Sequence, residues 1–208
     1  MRQAHASATG SSTALARVYP IVDGAHWLQR LLPLGVKLVQ LRIKDQPVAQ
    51  LRREICSARA LCAAAGAQLV VNDHWQLALD EACDFVHLGQ GDLHGADTAA
   101  LRRAGVRIGV STHDDAELER ALSINPDYVA LGPIYPTLLK QMPWAPQGLA
   151  RVTEWKRRIG SRPLVAIGGL TLERLAGVFA AGADSAAVVT DIVRAADPEA
   201  RMCAWLAA

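Results

Sequence analysis

Aromatic residues are scarce, only 5% of the 208-residue chain, so the stacking platforms that hold single-stranded nucleic acid are not expected. An excess of one charge is also missing. The 22 Lys and Arg stand against 20 Asp and Glu, and both signs are scattered, which argues against a basic face for phosphate backbones. No run of about 18 uncharged apolar residues occurs, so no membrane span is expected. The four cysteines, Cys56, Cys62, Cys83 and Cys203, form no CxxC pair and have no His at zinc-finger spacing. Reduced thiols in a cytoplasmic protein follow as the expectation. The opening MRQAHASATGSSTALAR lacks the apolar core of a signal peptide, and residues 1–16 read as a flexible tail.

What is present is a rhythm. Short apolar runs recur as VYPIV (18–22), KLVQL (37–41), QLVVN (68–72), FVHL (85–88), RIGVS (107–111), YVALG (128–132), LVAIG (164–168) and AAVVT (186–190). Their nearly unbroken apolar character suits parallel strands covered on both faces. Helix-like stretches lie between them: VAQLRREICSARALCAAAG with Gly66 as C-cap, DDAELERALS, and TLERLAGVFAAG with Thr171 as N-cap. Eight such repeats predict a single-domain α/β protein over residues 17–208, a closed (β/α)8 TIM barrel. An open doubly wound sheet is the alternative, but no GxGxxG follows the first strand.

In a barrel, chemistry sits where strands exit at their C-terminal ends. After strand 2, Gln40, Arg42 and Lys44 alternate with Leu41 and Ile43, which places three polar side chains on one face. Two cations and an amide together suit an anionic group such as a phosphate. Asn72 and Asp73 end strand 3, and Asp92 follows strand 4 in GQGD. Carboxylates at neighbouring exits suit a hard cation such as Mg2+, which takes one or two of them and fills its shell with water and phosphate oxygens. The plainer alternative makes Asp73 the N-cap of the next helix and Asp92 a turn residue beside Gly91. Ser111 and Thr112, after strand 5, either cap a helix or donate to a ligand. The exit after strand 6, GPIYPTLLKQMPWAPQG, is the longest, holds Lys140, and reads as a lid. Gly168 and Gly169, then Val189 and Thr190, open the last two helices, where backbone N–H groups form phosphate sites. His87 reads as a hydrogen-bonded core residue, and His74, His94 and His113 match no metal-ligand spacing.

The motifs QLRIKD, VNDHWQLAL, VHLGQGDL, IGVSTHDD, YVALGPIYPT, KQMPWAPQG and VAIGGLT, in this order, resemble the thiamine phosphate synthase family across about residues 18 to 200. The resemblance implies a transferase that joins a hydroxymethylpyrimidine diphosphate to a hydroxyethylthiazole phosphate and releases pyrophosphate. It implies a dissociative reaction with no protein nucleophile. Gln40, Arg42, Lys44, Asn72, Ser111 and Lys140 would then hold the pyrimidine diphosphate. Asp73 and Asp92 would ligate Mg2+, and Thr137, Gly169, Val189 and Thr190 would hold the thiazole phosphate. Two positions depart from the family pattern. The lid reads Thr137-Leu138-Leu139-Lys140 where Thr-x-Thr-Lys is usual, and Thr190 stands where Ser is common. A thiazole tautomerase on the same barrel tends to lack the Asn-Asp pair and the second metal aspartate. A catalytically silent ligand-binding barrel finds support only in Leu139, and a Schiff-base aldolase would want a lysine on strand 6, where YVALG has none.

Overall fold

The computed structural model describes residues 14–137 and 144–208. Eight parallel strands close in sequence order into a barrel: β1 (Val18–Val22), β2 (Leu38–Leu41), β3 (Gln68–Asn72), β4 (Phe85–Leu88), β5 (Arg107–Thr112), β6 (Tyr128–Leu131), β7 (Leu164–Ile167) and β8 (Ser185–Val188). The helices are α1 (Ala25–Leu31), α2 (Val48–Ala65), α3 (Trp75–Asp80), α4 (Gln90–Gly95), α5 (Thr98–Arg103), α6 (Asp115–Ser123), α7 (Gly148–Ile159), α8 (Leu175–Ala180), α9 (Thr190–Val193) and α10 (Pro198–Leu206). The (β/α)8 expectation holds, and the open sheet is ruled out because β1 pairs with both β2 and β8.

Strand parity splits the core in two. Val39 and Leu41 of β2, Val71 of β3 and Val86 of β4 face outward and pack with helix residues such as Leu51, Ile55, Trp155 and Trp205. Tyr19, Ile21, Leu38, Val70, Phe85, Tyr128, Ala130, Val165 and Ala187 face inward as a separate cluster that fills the barrel, with Leu15 and Ala16 packed against it. Alternate strand residues point to opposite faces, so an inward apolar residue is followed two positions on by the next inward one.

The helices follow their local chemistry. In α2 the buried residues Leu51, Ile55, Ala58 and Cys62 recur at helical spacing. Gly66 then stops it at φ 59°, with the Ala67 N–H donating to Cys62 O. Asp114 caps α6 by accepting from the Glu117 N–H. The stretch from Thr171 breaks where one helix was expected. A 3-10 turn over Leu172–Arg174 precedes α8, and Thr171 makes no side-chain cap bond. Cys62 and Cys83 are buried free thiols, and burial pushes them up to about 12 and about 11. No helix among the described residues is long and apolar enough to cross a membrane.

Candidate active site

The polar residues at the ends of β2, β3 and β4 converge on one mouth of the barrel. Beyond Gln40 the ladder continues, with the Arg42 N–H donating to Val22 O at 2.8 Å. Ile43 packs into the outer core, so Arg42 and Lys44 fall on the opposite parity and are exposed. Lys44 Nζ donates to Asp73 Oδ2. Asp73 has φ 61°, a left-handed conformation that Asp tolerates better than most residues. Its N–H donates to His87 O at 2.9 Å, and its own carbonyl accepts from the Trp75 N–H at 2.8 Å. Its side chain therefore engages Lys44 and leaves α3, whose N-cap is His74, without a side-chain cap. The capping alternative for Asp73 fails on this geometry. Asp92 is not a turn residue either, because it sits in the first turn of α4.

An open cavity of about 430 Å3 is lined by Lys44, Asp73, Trp75, Gln76 and Asp92, among others. The two carboxyl groups feel each other. Burial raises Asp73, but hydrogen bonds from Lys44 and Asp92 outweigh it and hold it below the usual carboxylate range. Burial and then the adjacent Asp73 charge push Asp92 up. Two hard oxygen donors at adjacent exits have the chemistry to hold a hard divalent cation. Among the described residues no group of three or more His, Cys, Asp or Glu forms a cation cage.

Asn72 gives the other signal. The residue is only 4% exposed, and its Nδ2 is the one buried side-chain polar atom among the described residues without a hydrogen-bond partner. A buried orphan donor costs about 1–3 kcal/mol, and the unpaired Nδ2 has the chemistry to donate to an acceptor from outside the protein.

Sequence reasoning read His87 as a core residue and stopped there, and passed over Tyr19 and Tyr128. The structure joins all three to the site. Inside the barrel Gln40 Nε2 donates to the Tyr19 hydroxyl (2.9 Å), which bonds the Tyr128 hydroxyl (3.0 Å). Tyr128 in turn bonds His87 Nδ1 (2.7 Å), and His87 Nε2 bonds Ser111 Oγ (2.8 Å). Ser111 therefore caps no helix. Thr112 is spent on Ala130 O and on the Trp155 Nε1–H, both at 2.9 Å. Burial, with Arg42 adding a smaller repulsion, pushes His87 down to about 4, and the Asp73 charge only partly opposes this. The signal was period 2: Tyr19, His87 and Tyr128 share strand parity with the inward apolar residues.

The last two exits lie apart from this cluster in sequence. Gly168 (φ 98°) and Gly169 (φ 64°) both need left-handed backbone, and a Cβ on Gly169 would lie 2.4 Å from Pro136 O. This fit presses the end of β7 against the segment that leads to Thr137. The Gly169 carbonyl accepts from Arg174, whose guanidinium lies 4.4 Å above the Tyr135 ring. Val189 is the N-cap of α9, and Thr190 is its first residue. Lys140 and Leu139 lie outside the described residues. Beyond that gap Trp144 stacks on His113 with ring centroids 4.0 Å apart.

The model of the thiamine monophosphate synthase family matches residues 18–192. The chain belongs to that family. The thiamine-phosphate synthase of Rhizobium etli is 65% identical over 190 residues, spanning 91% of this chain and 93% of the relative. That of Cronobacter sakazakii is 50% identical over 180 residues, 86% of each. Family membership makes the chain a transferase. The solved thiamine phosphate pyrophosphorylase of Pyrococcus furiosus superposes with a TM-score of 0.80 at 24% identity, over 91% of this chain and 93% of that one, and supports the fold.

Proposed function

We propose that this chain is a thiamine phosphate synthase that condenses 4-amino-2-methyl-5-(diphosphooxymethyl)pyrimidine with hydroxyethylthiazole phosphate. The observation that carries the reading is the buried, unpartnered Nδ2 of Asn72, the residue that precedes Asp73 of the Lys44–Asp73 pair. Donors and carboxylates meet there at one barrel mouth, as a metal-assisted diphosphate site requires. Arg42 and Lys44 would face the diphosphate with Asn72, with Lys140 closing from the lid. Gln40 and Ser111 would meet the pyrimidine. Thr137, Gly169, Val189 and Thr190 would hold the thiazole phosphate.

Asp73 and Asp92 would hold Mg2+, which when bound neutralises charge on the leaving diphosphate. The C–O electron pair departs with the diphosphate, and the thiazole nitrogen lone pair forms the new C–N bond. No protein nucleophile is needed. The protein's work is to stabilise the leaving charge and to hold the acceptor in line. A soluble cytoplasmic location completes the reading.

The test supplies purified protein with both substrates and Mg2+ and measures thiamine phosphate. Formation that stops with a chelator, and that falls by orders of magnitude in Asp73→Ala at limiting Mg2+, supports the reading. Near-normal turnover of Asp73→Ala there would remove the metal role, and absence of product from the unaltered protein would remove the function.

A further inference from the structure

The turn that ends β7 is held from one side. The Ile167 carbonyl accepts from the Ile134 N–H (2.9 Å), and the Gly168 carbonyl from the Tyr135 N–H (3.0 Å). The Gly169 carbonyl accepts from Arg174 Nη1. Three successive peptide units are thus pinned at their oxygens. A trans peptide is planar and carries its N–H opposite its C=O, so each pin also fixes where an N–H points. The last two of these N–H groups belong to Gly169 and Leu170. Among the described residues neither has a bonded acceptor.

Two of the pins are backbone, but the third is a side chain. Arg174 ends the 3-10 turn over Leu172–Arg174 and reaches back to Gly169, with its guanidinium 4.4 Å above the Tyr135 ring. It therefore clamps together the exits of β6 and β7. Its charge is also unspent, since among the described residues it is paired with no carboxylate. The neighbouring acid, Glu173, goes instead to Arg201 (3.2 and 3.4 Å), which also grips Asp191 (2.9 and 3.0 Å). A cationic donor on a carbonyl polarises the whole amide and strengthens the N–H at its other end.

We propose that Arg174 is a positioning residue for the thiazole phosphate. Through the Gly169 carbonyl it fixes and polarises the Gly169–Leu170 peptide, so that this N–H donates to the phosphate, and it leaves one uncompensated positive charge at that exit. This deepens the proposed function and rests on its placement of the phosphate at Gly169.

The experiment compares the unaltered protein with Arg174→Met and Arg174→Lys. Calorimetry gives the affinity for hydroxyethylthiazole phosphate, and steady-state kinetics give the KM for pyrimidine diphosphate. Arg174→Met is expected to weaken thiazole phosphate binding about tenfold. Arg174→Lys, which keeps the charge and a donor, should return to within about threefold of the unaltered protein. The KM for pyrimidine diphosphate should stay within about twofold in both. Tyr135→Leu removes the ring beneath the guanidinium but none of the three pins, and should give the same split at about threefold. It serves as the second variant if Arg174→Met does not fold. Unchanged thiazole phosphate affinity in the folded variants, or an equal loss toward both substrates, overturns the proposal, because a staple that only holds the loops together would not single out one substrate. Thiamine phosphate formation by the unaltered protein is followed in parallel. Product without dependence of thiazole phosphate binding on Arg174 sinks this inference alone. No product, with binding that still depends on Arg174, sinks the synthase reading and keeps the positioning role. No product and no binding of thiazole phosphate sinks both.

Discussion

Asn72 carries a cost in the empty protein. Its buried Nδ2 has no partner among the described residues, which disfavours the folded state by about 1–3 kcal/mol until an acceptor arrives. Asn72→Leu, close in volume, is therefore expected to stabilise the ligand-free protein by about 1 kcal/mol in urea denaturation. The same change should raise the KM for pyrimidine diphosphate at least tenfold, about the value of one hydrogen bond. Lower stability with an unchanged KM would make Asn72 a structural residue. Asp73 shows the same logic through backbone geometry. It is held at φ 61° with its carboxylate on Lys44, and it leaves the start of α3 without a side-chain cap. Local capping is forgone here in favour of the ion pair with Lys44.

At the scale of elements, the strands were legible because their apolar runs are continuous. Both faces of β2 to β8 are covered, and the expected and observed boundaries differ by at most two residues. The helix after Thr171 was less legible, since propensity alone does not show that the first turn tightens to 3-10. Exit residues such as Lys44 and Asp73 could be grouped from position, but not their pairing. The line through Tyr19, Tyr128 and His87 was missed because parity was applied to the polar residues of β2 and not to those of β1, β4 and β6. Two tests belong at this scale. Gly109→Ala places a methyl against the Tyr128 ring and should cost about 3 kcal/mol of stability by overpacking. Adding Tyr128→Leu should recover part of that loss, because the two sites share one space; strictly additive losses would place the clash elsewhere. In the lid, Leu139→Thr restores the hydroxyl usual in the family and should tighten thiazole phosphate binding by up to about tenfold. Unchanged affinity would mean that position 139 does not reach the phosphate.

For the whole molecule, the buried imidazole links stability to pH. His87 titrates near 6.5 when unfolded and is pushed down to about 4 when folded, so between those values the unfolded chain binds a proton that the native protein refuses. Stability of the metal-free protein should fall as pH drops through that window, by up to about 3 kcal/mol. His87→Asn should lack this component. Glu173, held at about 2 first by its bond with Thr171, acts in the lower window between its ordinary value of 4.5 and about 2. An identical pH dependence in protein and variant from 6.5 to 4 would contradict the assignment. The architecture itself is ordinary: a filled barrel, a shell of helices and one polar mouth, with a second depression of about 240 Å3 at the opposite end beside Pro126 and Arg162. There Asp127 is already paired with Arg102 and with the Ile108 N–H. The central claim is that the polar mouth joins two substrates. The most direct measurement is pyrophosphate release with pyrimidine diphosphate and Mg2+, in the presence and absence of thiazole phosphate. The account predicts release that requires the thiazole phosphate and matches thiamine phosphate mole for mole. Release of equal rate without it, or none with both present, would contradict the account.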